Sequence, residues 1–173
     1  IISDQELLSG QLDYATYGYR SKDGIEADLR STCHINVVCP EADEYEQIKN
    51  GVVLLLNGPS SFCSGSMIAN TAYDGKPYVL TASHCYLSNP ANWVFRFNFQ
   101  AEFCDGVDSG PYTSVSGGVL RARYASSDFC LIEIIGGLDN GQLPASTNAF
   151  FNGWDFTGRA VSSAVGIHHP SGV

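Results

Sequence analysis

The sequence predicts an all-β protein, and three observations carry that reading. Short apolar runs at 51–56, 63–69, 77–82, 93–99, 118–124, 128–135 and 160–167 are separated by turn signals, among them Asn57-Gly58-Pro59, Asp74-Gly75, Ser88-Asn89-Pro90, Asp105-Gly106, Gly136-Gly137 and Asn140-Gly141. Runs of that length with such punctuation read as antiparallel strands. Within Trp93-Val94-Phe95-Arg96-Phe97-Asn98-Phe99 the aromatic residues alternate with others, which puts Trp93, Phe95, Phe97 and Phe99 on one face and Arg96 and Asn98 on the opposite one. The row reads as barrel core more readily than as a ligand platform. Eighteen glycines and few long amphipathic stretches fit a barrel or a sandwich.

From the N-terminus, residues 1–32 are polar and acidic, with Tyr14, Tyr17 and Tyr19 in loose alternation. They read as a leader, a pro-segment or a linker with at most one weak strand. If they form a pro-segment, Arg20, Lys22 and Arg30 are candidate processing points. The texture changes at Cys33, where the apolar runs begin, and only 41–49 hints at a helical turn. No internal repeat or low-complexity tract is visible.

Acidic residues outnumber basic ones 18 to 9, for a formal charge of −9 in 173 residues. Residues 1–50 hold ten of the acidic and four of the basic side chains. Such a chain repels a phosphate backbone, which argues against a nucleic-acid partner. The longest aliphatic run, Val52 to Leu56, is far shorter than the ~20 residues of a membrane helix. Hydrophobic residues make up 44%, enough to bury a core.

Six cysteines, at 33, 39, 63, 85, 104 and 130, contain no C-x-x-C pair. They read as a disulfide set rather than a metal ribbon or a thioredoxin motif. Disulfides imply an oxidising compartment and hence export. The chain starts at Ile1 without Met or a signal peptide, so its beginning is expected to have been removed or lost.

The strongest chemical signal is Tyr78-Val79-Leu80-Thr81-Ala82-Ser83-His84-Cys85. A strand ends in small residues and presents a histidine just before a cysteine. Cys63 opens another strand 22 residues earlier, and a Cys63–Cys85 bridge would staple the two strands behind the imidazole. A general base needs such a fixed orientation, because it must stay within reach of the proton it removes. The second signal is Asp128 at the mouth of the apolar run Phe129 to Ile134, 44 residues after His84. A carboxylate there can accept the imidazole N–H, hold its tautomer and stabilise the imidazolium.

In this order the two segments resemble the chymotrypsin-like serine peptidases, and more closely the bacterial secreted lysyl endopeptidases. The resemblance rests on Ser31-Thr32-Cys33-His34-Ile35-Asn36-Val37-Val38-Cys39-Pro40-Glu41, Cys63-Ser64-Gly65-Ser66, Ala69-Asn70-Thr71-Ala72 and Lys76-Pro77-Tyr78. It continues through Thr81 to Cys85, Ser127-Asp128-Phe129, Asn152-Gly153-Trp154-Asp155 and Ile167-His168-His169-Pro170. It implies a chymotrypsin-like double β-barrel with the first barrel complete over 33–140. Residues 141–173 would be a linker and the start of a truncated second barrel. It also implies His84 and Asp128 as catalytic residues, a Cys39–Cys104 bridge, and a Cys33 whose partner lies in the second barrel. A secreted monomer acting on protein or peptide substrates is expected, with no cofactor, metal, nucleic acid or membrane and with cleavage after lysine.

Two departures from the pattern stand out. Cys130 occupies a strand position where the family commonly has another residue; it either pairs with Cys33 or remains a buried thiol. The serines after Asp128 are Ser146, Ser162, Ser163 and Ser171, and none sits in a Gly-x-Ser-Gly turn. Ser64 and Ser66 precede His84 on the staple strand. The nucleophile is therefore expected beyond residue 173, and the 173-residue chain alone is expected to be inactive. His168 and His169 could ligate a metal, but neighbours on a strand face opposite ways, which favours a structural role or cleft lining. His34 reads as a surface residue. The rivals are a barrel that binds without catalysis and a metal-dependent hydrolase using His84, His168 or His169.

Overall fold

The computed structural model describes residues 34–87, 89–106 and 110–170. The expected leader at 1–32 and Cys33 lie outside these residues. Among the described residues seven strands form one antiparallel sheet: β1 (Val52–Asn57), β2 (Ser60–Ile68), β3 (Tyr78–Ala82), β4 (Trp93–Phe97), β5 (Thr113–Ser116), β6 (Gly118–Tyr124) and β7 (Phe129–Ile134). Their order is β5-β4-β1-β2-β3-β7-β6. The expected turn near 41–49 is two short 3₁₀ turns, Pro40–Tyr45 and Ile48–Gly51. No described helix is long and apolar enough to cross a membrane.

The sheet curls because its two edge strands are consecutive in the chain. Only Gly117 separates β5 from β6. Gly117 takes φ +94°, a conformation that side chains rarely adopt. Its N–H donates to the Trp93 carbonyl, and its own carbonyl accepts from Ile135 and Gly136. One residue thus ties the β4 side of the sheet to the β7 side, and an antiparallel half-barrel results.

Alternation fills the concave side. Val53 and Leu55, Met67, Val79, Trp93, Phe95 and Phe97, Val115, Cys130, Ile132 and Ile134 make one buried cluster. Val79 faces Ile132 across the β3–β7 pair, and Leu55 stands between Cys63 and Phe95. Edge-to-face contact of Phe62 with Trp93 closes the cluster near β2.

The expected aromatic row breaks at its fourth member. Asn98 takes φ +57°, which ends β4 at Phe97 and reverses the alternation. Phe99 therefore lies with Arg96 and Tyr112, whose guanidinium and ring stack at 4.2 Å, rather than with the core. The expected strand at 160–167 does not form among the described residues. That segment has no neighbouring strand to satisfy its backbone groups, and Val161 and Val165 stay exposed. Beyond Ile134 only isolated bridges occur among the described residues, including Ile68 with Asn152. Strand β5 was not foreseen, because Thr113-Ser114-Val115-Ser116 offers one apolar side chain to the core.

Phe95 is fully buried at the centre of the cluster. Phe95→Ala is expected to lower stability by about 3–5 kcal/mol, read as a fall in the denaturation midpoint at unchanged slope in urea.

Candidate active site

The register of β3 with β7 assembles the site. Ala82 pairs with Phe129, the last and first residues of their strands, so the turn after Ala82 meets the turn before Phe129. After Ala82 the chain makes a 3₁₀ turn, Ser83–Cys85, with His84 in its middle. Before Phe129 another such turn, Ala125–Ser127, ends on Asp128 in the left-handed region at φ +53°. Aspartate is among the few side-chain-bearing residues that accept that conformation readily.

Three hydrogen bonds join the turns. The Ser83 N–H donates to the Asp128 carbonyl at 2.8 Å. The His84 N–H donates to Asp128 Oδ1 at 2.8 Å, and His84 Nδ1 lies 2.6 Å from Oδ2. The His84 backbone N–H holds the Asp128 carboxyl below its ordinary value; partial desolvation opposes this, and the imidazole bond adds to it. An ionised carboxylate only accepts, so Nδ1 carries a proton, and in the neutral ring that tautomer leaves the lone pair on Nε2. The His84 side chain is 61% exposed and Nε2 has no hydrogen-bond partner among the described residues. The pair can therefore take a proton from a group brought to Nε2.

Both expected disulfides are present. Cys63–Cys85 spans β2 and the His84 turn with a Cα separation of 6.1 Å. Cys39–Cys104 ties the first 3₁₀ turn to the loop after β4. Cys130 is a free, fully buried thiol whose pKa burial raises, which removes the alternative of a bond to Cys33.

Among the described residues, Cys63, His84 and Cys85 alone lie close enough together to hold a metal ion. Their sulfurs form a disulfide and are not thiolate ligands. Ser64 Oγ accepts from the His169 N–H, and Ser66 Oγ accepts from Asn152. These serines brace the segment at 152–169 and do not approach His84 by any hydrogen bond. His168 and His169 are not on a strand; they line a cavity of about 540 Å³ together with His34 and Phe99. The His34 and His168 rings meet edge to face at 5.3 Å, and burial lowers the His168 pKa with His34 adding to it.

The family model for lysyl endopeptidase, C-terminal domain, matches residues 28–173. The chain belongs to this family. It is thus a peptidase-related protein, and the curled half-barrel carries the paired His84 and Asp128 within the matched span.

Two residues at the site were not singled out from the sequence. Ser83 is 2% exposed, and Arg123 donates to it through Nε at 2.8 Å and Nη2 at 3.1 Å. An arginine in an exposed strand carries no sequence signal of such a contact.

Replacing Cys63 and Cys85 by serine is expected to lower stability by about 3 kcal/mol, measured by denaturation under non-reducing conditions. The depressed Asp128 pKa adds stability above the ordinary carboxylate value, which is lost as pH falls through the folded-state value. Asp128→Asn is therefore expected to reduce the loss of thermal stability between about pH 5 and pH 2, read as a flatter melting temperature against pH.

Proposed function

We propose that the chain supplies the general base and its orienting carboxylate to a secreted serine endopeptidase of the chymotrypsin-like double-barrel type, with lysine preferred before the scissile bond. The observation that carries this reading is the His84–Asp128 pair, with Nδ1 on the carboxylate and Nε2 accessible. A solvent-accessible side-chain pair of this kind contributes little to stability, so the fold itself does not require it.

In the proposed reaction a serine hydroxyl from polypeptide beyond residue 173 attacks the peptide carbonyl. His84 Nε2 takes the hydroxyl proton and later gives it to the leaving amine. Asp128 holds the ring and stabilises the imidazolium. No serine hydroxyl among the described residues is hydrogen-bonded to the His84 ring, so the described residues provide two of the three groups. The two disulfides support an extracellular setting, and the acidic balance suits protein or peptide substrates rather than nucleic acid. The chain is proposed to act as a monomer without cofactor.

A polypeptide extending past residue 173 into a Gly-x-Ser-Gly segment is expected to react with a serine-directed phosphonate and to cleave lysyl peptide substrates. Asp128→Asn in it is expected to lower kcat about ten-thousand-fold, because the wrong tautomer is then favoured. A substituted serine in that segment would sink the proposal in favour of a binding module, and wild-type kcat in the Asn variant would remove the role given to Asp128. Burst kinetics from the 173 residues alone would equally contradict it.

A further inference from the structure

We infer that Arg123 is a positioning residue for His84, acting through the peptide group that joins Ser83 to His84; the inference rests on the reading of His84 as a general base. Simple alternation along β6 does not put Arg123 there. Leu120 pairs with Ile132 but Ala122 pairs with Leu131, so Arg121 is an extra residue in β6. A one-residue slip reverses the face of every side chain after it. Arg123 is thereby set opposite Cys130, which is fully buried and itself pairs with Thr81 on β3. Cross-strand partners share a face, so the bulge sends the Arg123 side chain along the face that leads from Cys130 to the end of β3.

At that end the guanidinium makes three contacts. Nε donates to Ser83 Oγ, Nη2 donates to the Ser83 carbonyl, and the group lies 4.8 Å from the centre of the Tyr86 ring. The Ser83–His84 peptide is therefore held at both ends by charged groups. Its carbonyl accepts from Arg123, while its N–H donates to the Asp128 carboxylate. Charge-assisted bonds are the strong ones, and two of them on opposite sides of one peptide plane oppose its rotation. That plane sets the direction of the His84 Cα–Cβ bond, and so where the imidazole points. Lysine offers no planar fork to reproduce both bonds on Ser83.

The test is residue-resolved hydrogen exchange and imidazole proton NMR on the 173-residue chain with Arg123→Met, Arg123→Lys and Ser83→Ala. Methionine keeps an apolar stem at the position. The His84 amide is expected to exchange at least about tenfold faster in Arg123→Met, with smaller acceleration in Ser83→Ala, while Leu55 and Phe95 amides stay within about twofold. The Nδ1 proton resonance shared with Asp128 is expected to broaden in Arg123→Met, and Arg123→Lys is expected not to restore it.

Unchanged His84 exchange in Arg123→Met overturns the inference, as does acceleration shared equally by Leu55 and Phe95. Full restoration by lysine also overturns it, because charge alone would then suffice. If Arg123→Met does not fold, Ser83→Ala decides by the same comparison. Absence of the shared proton in the wild type counts against the His84–Asp128 pairing and thus the proposed function, while the amide comparison still judges Arg123.

Discussion

The pairing of β3 with β7 is the constraint on which the rest of the site depends. The two strands are distant in sequence, and their register sets Ala82 against Phe129. A one-residue slip of β7 against β3 would exchange the buried and exposed faces of β7, placing Ile132 outside the cluster it now fills with Val79. The apolar pattern therefore fixes the register, and the register delivers the Ser83–Cys85 turn to Asp128. Hydrophobic burial thus locates a polar pair that contributes little to stability itself.

Once there, the pair is governed by its donors. Asp128 accepts from the His84 backbone and ring, and its own carbonyl accepts from Ser83. Its left-handed backbone turns the carbonyl toward Ser83 and leaves the carboxylate directed at His84. The carboxylate stays ionised below the usual range mainly because of a backbone N–H, which no change in the protonation of His84 removes. The acceptor for Nδ1 is consequently in place whether or not the imidazole carries a charge.

Much of this was legible in the sequence, for identifiable reasons. Strands whose side chains alternate cleanly, such as β4 and β7, were read close to their observed bounds, and the small residues before His84 marked the end of β3. The order of the disulfide cysteines around His84 pointed to the staple. The features that escaped the reading depended on single backbone angles or on pairing partners. The positive φ of Asn98 turned Phe99 out of the aromatic row, and 160–167 had the composition of a strand without a neighbour. Strand β5 is specified mainly by Gly117 bending the chain from one edge of the sheet to the other, a tertiary event with no local apolar signature. Arg123 was invisible because its reach to Ser83 follows from the extra residue at Arg121, which only the β6–β7 register reveals.

The orientation of His84 draws on three strands besides its own. Cys63 restrains the turn from β2, Asp128 from the start of β7, and Arg123 from the end of β6. Each reaches a different atom: the sulfur of Cys85, the N–H and ring of His84, and the oxygens of Ser83. A single restraint would leave the turn free to pivot about it, whereas three restraints on three successive residues oppose that motion. If His84 acts as the proposed general base, such a turn needs little rearrangement when a proton donor arrives at Nε2, and avoided reorganisation lowers a barrier. The sheet is therefore best understood as a frame that holds one peptide plane still.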